Sequence, residues 1–260
     1  MSSDILARRD GELAFLLLNR PAKRNAITAQ MWRRLPGLLG ELAADRALKV
    51  LVVRGVDASA FAAGADIDEL EQQHGSPAAA IAFQETYAAA MGALTGFPKP
   101  SIAMIQGPCV GAGCTIAVAC DLRLADRSAR FAITPARLGH VYRLEDTKRL
   151  IDLVGSARAK ELLFTGRMIG AEEAREIGLV QRLCEPAELE AAVLETARAI
   201  AGASQFSVRA TKKIVAMIAA GHATETEASR ALFLEAIHGE DYQEGVRAFR
   251  EKRKPSFTFL

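Results

Sequence analysis

The stretch that most limits what this chain can become is Gly107-Pro108-Cys109-Val110-Gly111-Ala112-Gly113-Cys114-Thr115-Ile116-Ala117-Val118-Ala119-Cys120-Asp121, entered from the apolar run Ser101-Ile102-Ala103-Met104-Ile105-Gln106. It reads as a strand, a glycine-rich turn and a short apolar helix. Gly107, Gly111 and Gly113 allow the backbone to turn sharply and to approach a ligand closely. A helix beginning near Ala112 leaves the N–H groups of its first turn without carbonyl partners, and such an end attracts negative charge. The same sequence also serves as a plain tight connection, so a second feature has to decide.

That feature is Phe61-Ala62-Ala63-Gly64-Ala65-Asp66-Ile67, which follows the apolar run Val50-Leu51-Val52-Val53-Arg54-Gly55 and precedes an acidic, helical-looking segment. Two strand exits of this kind are what an anion hole with two backbone donors requires. Other chemistries are poorly served. A net charge of +2 gives no field suited to nucleic acid, and an aromatic content of 6% offers few stacking surfaces. Cys109, Cys114, Cys120 and Cys184 show no paired C-x-x-C spacing and are expected to be buried thiols. His74, His140, His222 and His238 are scattered, so no metal site is expected; His140 alone lies near a motif, and the others read as surface or capping residues. No apolar run reaches the ~20 residues of a membrane span, and Met1-Ser2-Ser3-Asp4 lacks the pattern of a signal peptide, so a cytoplasmic protein without membrane partners is expected.

With 260 residues, 50% hydrophobic and 25% charged, the chain has the proportions of one globular domain with room for a small appendage. Residues 12–18 read as a strand ended by Asn19-Arg20-Pro21. Thr28 caps a helix to about Ala44 with Met31, Leu35, Leu38, Leu39 and Leu42 on one face, which Pro36-Gly37 should kink or interrupt. Pro77 opens an alanine-rich helix to about Leu94, and residues 122–125 and 130–133 read as short strands. Strands separated by helices point to parallel pairing. Beyond Pro135 the pattern is helical over 144–153, 156–164, 171–177, 186–201, 207–219, 224–237 and 242–251.

The two glycine-flanked turns, together with Leu18-Asn19-Arg20-Pro21 and Arg24-Asn25-Ala26 near the start and Glu251-Lys252-Arg253-Lys254-Pro255 at the end, resemble the crotonase superfamily, the enoyl-CoA hydratase/isomerase family, over essentially the whole chain. The resemblance implies an α/β fold: a spiral of strand-strand-helix turns over residues 1–195 and a C-terminal helical region over 196–260 used for trimerisation, giving a homotrimer or a dimer of trimers. It also implies a coenzyme A thioester as substrate, no permanently bound cofactor, and a thioester enolate held by the N–H groups of Ala65 and Ala112. Relatives more often carry glycine at the second position. For the coenzyme A moiety the implied residues are Arg24 and Ala26, Ala63, Asp66 and Ile67 at the second turn, and Lys252 and Lys254 near the end; a solvated charged tail explains the two lysines equally well.

The departures from the family pattern carry the expectation about chemistry. The two glutamates that hydratases of the family use to position and activate water fall on Thr115 and Pro135, neither of which exchanges a proton near neutral pH. The string Thr134-Pro135-x-x-Leu138-Gly139-x-x-Tyr142 looks like methylmalonyl-CoA decarboxylases, in which the matching tyrosine lines the substrate carboxylate pocket. Decarboxylation or isomerisation is therefore expected ahead of hydration, with Tyr142 at the reacting end and His140 or Arg143 beside it. Two alternatives stand: a hydratase or isomerase in which Glu145 or Asp146 has become the base, and a non-catalytic acyl-CoA-binding subunit.

Overall fold

A computed structural model describes residues 3–69 and 75–259; His74 lies outside the described residues. The chain begins with a hairpin that its sequence conceals. β1 (Ile5–Asp10) pairs antiparallel with β2 (Leu13–Leu18), Ile5 opposite Leu18 and Asp10 opposite Leu13. Only Ile5 of β1 is buried, so this edge strand has no alternating apolar pattern by which to be recognised.

From β2 onward the main sheet is parallel. β3 (Val50–Gly55), β4 (Ser101–Ile105), β6 (Leu122–Asp126) and β9 (Arg182–Cys184) follow in the order β1-β2-β3-β4-β6-β9. β2, β3 and β4 are almost wholly apolar because both faces are covered. Leu16, Leu18, Leu51, Val53, Ala103 and Ile105 face α1 (Ala29–Ala44) and α2 (Pro77–Thr95), whereas Phe15, Val50, Val52, Ile102 and Met104 face α6 (Leu189–Ala201). α6 buries Leu189, Ala192, Val193, Ala197 and Ala201 on that face, and it runs straight through residue 195.

The expected cap of α1 is present, the Thr28 hydroxyl accepting from the Met31 N–H at 3.2 Å. Of the kink or interruption expected at Pro36-Gly37, the interruption is absent. α1 continues through Pro36, since a proline in a helix removes one backbone bond while Leu35 and Leu39 on either side stay anchored in the core. Trp32, absent from the expected apolar face, is buried there as well.

β5 (Pro108–Val110) and β7 (Arg130–Ala132) pair in parallel and β8 (Ile169–Gly170) joins antiparallel, forming a second, three-stranded sheet. α3 (Ala112–Ala119) leaves β5 through Gly111. α4 (Leu144–Thr165) contains a non-helical Gly155, φ 76° and ψ 160°, where the sequence places the division between two helices. α5 (Ala171–Glu176), α7 (Gln205–Ala219), α8 (Glu227–His238) and α9 (Glu240–Arg250) complete the chain. All four cysteines are free and buried. No helix among the described residues is long and apolar enough to cross a membrane.

Candidate active site

Three backbone segments are laced side by side next to the main sheet. Ala63 N–H donates to the Arg24 carbonyl (2.9 Å), Ile27 N–H to Gly64 (2.8 Å) and Asp66 N–H to Ile27 (2.9 Å); Ala62 N–H donates to Pro108 (3.0 Å) and Val110 N–H to Ala62 (2.9 Å). This ladder uses the groups on either side of Ala65 and leaves the Ala65 N–H directed away from Ile27. Ala112 opens α3, where a helix N–H has no carbonyl four residues back to meet. Neither amide donates to any described residue, and both residues are half-buried, within reach of a ligand.

The turns before them touch. Gly64 has φ +113° and Gly111 has φ +49° with ψ −113°, conformations open to glycine and strained for other residues. A Cβ on Gly111 would stand 3.7 Å from the Gly64 Cα, and one on Gly113 only 2.6 Å from the Ala62 carbonyl oxygen. Ala65 and Ala112 thus each follow one of two glycines so close that a methyl on Gly111 would be in van der Waals contact with Gly64. At the opposite end of α3, the buried Arg123 guanidinium donates to the carbonyls of Cys120 (2.7 Å) and Leu179 (2.8 Å) and more weakly to Ala117 (3.4 Å), so a cation closes the helix whose start is open.

One turn into α3, the buried Thr115 hydroxyl lies 3.2 Å from the Gly111 carbonyl and 2.8 Å from the Tyr142 phenol. Its single proton serves the carbonyl when Tyr142 is the donor between them. Tyr142, in the coil before α4, is packed against the core, and burial pushes its phenol well above the usual value. Tyr87 of α2 closes the other side. Its hydroxyl donates to Asp146 Oδ2 at 2.5 Å, and burial, followed by the charge of Asp146 and this bond, raises its pKa. Asp146 also accepts from Arg149 at 2.7 Å; burial raises its pKa against the opposing pull of Tyr87, Arg149 and Arg143. The Arg143 guanidinium stacks 4.2 Å over the Tyr87 ring, whose edge meets Trp32 with centroids 5.1 Å apart.

The other residues singled out from the sequence are spread around this centre. Pro135 begins a short 3-10 turn, Pro135–Leu138, its carbonyl accepting from His140 N–H at 2.9 Å. Glu145 is exposed in the first turn of α4, while its neighbour Asp146 is turned inward. Arg24 is exposed and left-handed (φ 48°), and the Ala26 carbonyl is held by Arg20 at 2.7 Å. Asp66 is committed to the same guanidinium at 2.7 Å, and this bond holds its carboxyl below the usual range, so it fastens residues 20–27 to the Ala65 turn. Ile67 is 76% exposed. Lys252 and Lys254 are exposed in the tail after α9, where Arg253 and the Ser256 N–H hold Glu244; among the described residues no hydrogen bond or ion pair joins the two lysines to the Arg24 or Ala65 segments. Tyr87 was missed by sequence reading. Its signal was slight: one of three tyrosines in the chain, set in an otherwise alanine-rich helix.

The family model for enoyl-CoA hydratase/isomerase matches residues 8–259. A solved structure from Hyphomonas neptunium assigned to that family is 42% identical and superposes with a TM-score of 0.96 over 99% of this chain and 98% of that one. An enoyl-CoA hydratase/carnithine racemase from Magnetospirillum magneticum gives 34% identity and a TM-score of 0.95 over 100% and 97%. The short-chain-enoyl-CoA hydratase of Clostridium acetobutylicum is 32% identical over 257 residues, covering 97% of this chain and 96% of its own. The chain belongs to the enoyl-CoA hydratase/isomerase family, and its layered α/β architecture is the crotonase fold.

Proposed function

We propose that the chain is an acyl-CoA enzyme that forms and protonates a thioester enolate by decarboxylation or isomerisation rather than by adding water, and that it works as a cytoplasmic homotrimer or dimer of trimers. The thioester oxygen sits between the amides of Ala65 and Ala112, two preorganised donors that stabilise the oxyanion as charge develops. Arg24, Ala26, Ala63, Ile67 and the tail lysines Lys252 and Lys254 hold the coenzyme A portion, with Asp66 acting on them through Arg20. The observation that carries the choice of chemistry is the hydroxyl pair Thr115–Tyr142 at 2.8 Å, where a hydratase needs a carboxylate. A phenol donates a hydrogen bond to a substrate carboxylate, or a proton to carbon, without placing a bare charge in an apolar pocket. Loss of carbon dioxide itself generates the enolate, so the missing glutamates cost that reaction nothing.

Curated relatives carry hydratase names, and the reading in which Asp146 or Glu145 serves as base keeps that activity open; Asp146 is the better placed, being buried against Tyr87. The deciding experiment incubates the protein with malonyl-, methylmalonyl- and short enoyl-CoA thioesters in deuterated water and follows label at the α carbon. Enolate chemistry places deuterium there. Crotonyl-CoA hydration should run several orders of magnitude below that of a two-glutamate enzyme, since each acid/base group contributes ~10²–10⁴-fold. Efficient hydration would refute the proposal in favour of a carboxylate base, and no label with any thioester would leave only acyl-CoA binding.

A further inference from the structure

We infer that Asn25 is a positioning residue that fixes the span between the coenzyme A cation Arg24 and the oxyanion donor Ala65, so that a thioester anchored at one is delivered to the other. The inference rests on the roles proposed above for those two residues, and adds a side chain that touches no substrate atom.

Asn25 is 0% exposed although its neighbour Arg24 is exposed. Both are left-handed, with φ 56° and 48°, a conformation that asparagine tolerates better than most side chains do. Turned inward, the Asn25 amide meets two partners of opposite kind. Its Oδ1 accepts from the Arg20 N–H at 2.9 Å, and its Nδ2 donates to the Ala60 carbonyl at 2.8 Å. The Asn25 backbone N–H donates to the Arg20 carbonyl at 2.9 Å and closes residues 20–25 into a loop. An aspartate cannot donate to Ala60 when ionised and a leucine makes neither bond, so the position calls for an amide.

The bond to Ala60 matters because residue 60 begins the run that carries Ala63 and Ala65. The backbone ladder joins Arg24 to Ala63 and Ile27 to Gly64 and Asp66, and the Arg20–Asp66 ion pair at 2.7 Å fastens the far end of the run. Asn25 fastens its near end, so the 60–66 turn is gripped on both sides by the segment that presents Arg24. Gly55, the last residue of β3, makes room for this grip. A Cβ there would stand 2.2 Å from the Ala60 oxygen and 2.8 Å from Asn25 Nδ2. Gly55 is not among the glycines with positive φ, so space and not backbone angle excludes a side chain from it. Contacts at the coenzyme A end, remote from the reacting carbon, contribute to orientation through a rigid connection of this kind.

The test follows kcat and KM for deuterium incorporation at the α carbon, with an acyl-CoA that the unmodified enzyme labels, beside the affinity for free coenzyme A measured by calorimetry. Asn25→Gly keeps the left-handed backbone and removes both side-chain bonds. The folded variant should label ~10²-fold more slowly, the effect of displacing a donor by ~1 Å, and should bind coenzyme A more weakly. Asn25→Asp keeps the shape and the bond from Arg20 but sets a second oxygen against the Ala60 carbonyl. Its labelling rate relative to the unmodified enzyme should be low at neutral pH and recover as pH falls, because the protonated acid donates to Ala60 again. A residue that only packs would lower the melting temperature and leave kcat, KM and this pH profile unaltered in the molecules that remain folded. Labelling at the unmodified rate by either variant at neutral pH, or an unchanged coenzyme A affinity in Asn25→Gly, overturns the role of Asn25 while leaving the enolate reading intact. If the unmodified enzyme labels no acyl-CoA, the enolate reading fails by itself and the coenzyme A titration decides: weaker binding by Asn25→Gly sustains the positioning role and unchanged binding overturns it.

Discussion

Gly113→Ala tests whether the contact between the two turns sets the separation of the Ala65 and Ala112 amides. Gly113 sits in the first turn of α3, and an added Cβ would meet the Ala62 carbonyl oxygen at 2.6 Å and the Ala62 Cβ at 2.9 Å, against an ordinary contact of 3.4 Å or more. The obstacle is backbone, so no side chain can rotate away. The α3 start and the 62–65 turn must part by about 0.8 Å, the difference between 3.4 and 2.6 Å. Overpacking of this kind costs ~1–3 kcal/mol of stability, which for a chain of this size lowers the melting temperature by only several degrees. Misplacement by ~1 Å in a site that depends on orientation costs ~10²-fold in rate, and loss of one oxyanion donor ~10²–10³-fold. The expected result is a folded protein with α-carbon labelling reduced ~10²-fold or more and little change in acyl-CoA affinity. A variant that labels at the full rate while melting a few degrees lower would show that the turn contact does not position the donors.

Tyr142→Phe removes only a hydroxyl; turnover should fall ~10²-fold while stability changes by ~1 kcal/mol, the net worth of one hydrogen bond, and unchanged turnover would exclude Tyr142 from the chemistry. Arg123→Met strips donors from the carbonyls of Cys120, Leu179 and Ala117, and at ~1–3 kcal/mol for each buried acceptor left bare the urea midpoint should drop clearly; an unaltered midpoint would mean that water satisfies these groups. Glu244 is held well below the usual carboxylate range, chiefly by Arg253, then by the Ser256 amide and Arg247. Its contribution is present above the unfolded value of ~4.3 and is lost as pH falls through the lowered folded value, so backbone exchange over 252–258, relative to the intrinsic rate at each pH, should quicken on acidification. Glu244→Gln should produce the same quickening at neutral pH and raise the KM for acyl-CoA more than it lowers kcat, and unaltered exchange would separate the tail from this anchor.

The features legible in the sequence are those in which one residue type is demanded by backbone geometry. Gly64 and Gly111 take positive φ, Gly113 has no space for a methyl, and Thr28 supplies the cap of α1. Strands β2, β3 and β4 are legible because two covered faces make them continuously apolar. β1, β5, β8 and β9 escape notice because they are short or lie at an edge, so few of their positions register burial. Pro36 misleads because local propensity yields to the buried residues on both sides of it. The Tyr87–Asp146 bond is hidden for another reason. It joins side chains 59 positions apart on two helices, and no local pattern encodes their meeting.

The isolated bridges Ile27–Ala65 and Ala62–Cys109 also bear on how the protein matures. Each connects segments distant in the chain, and each is a single bridge outside the named strands. Such contacts form only after the entropy of closing long loops has been met, whereas the β1–β2 hairpin and the helices need only local encounters. The site should therefore be among the last parts of the molecule to become ordered during refolding. Recovery of activity should lag behind recovery of helical signal, and a stalled nascent chain released before residue 109 would carry the first turn with nothing to dock against.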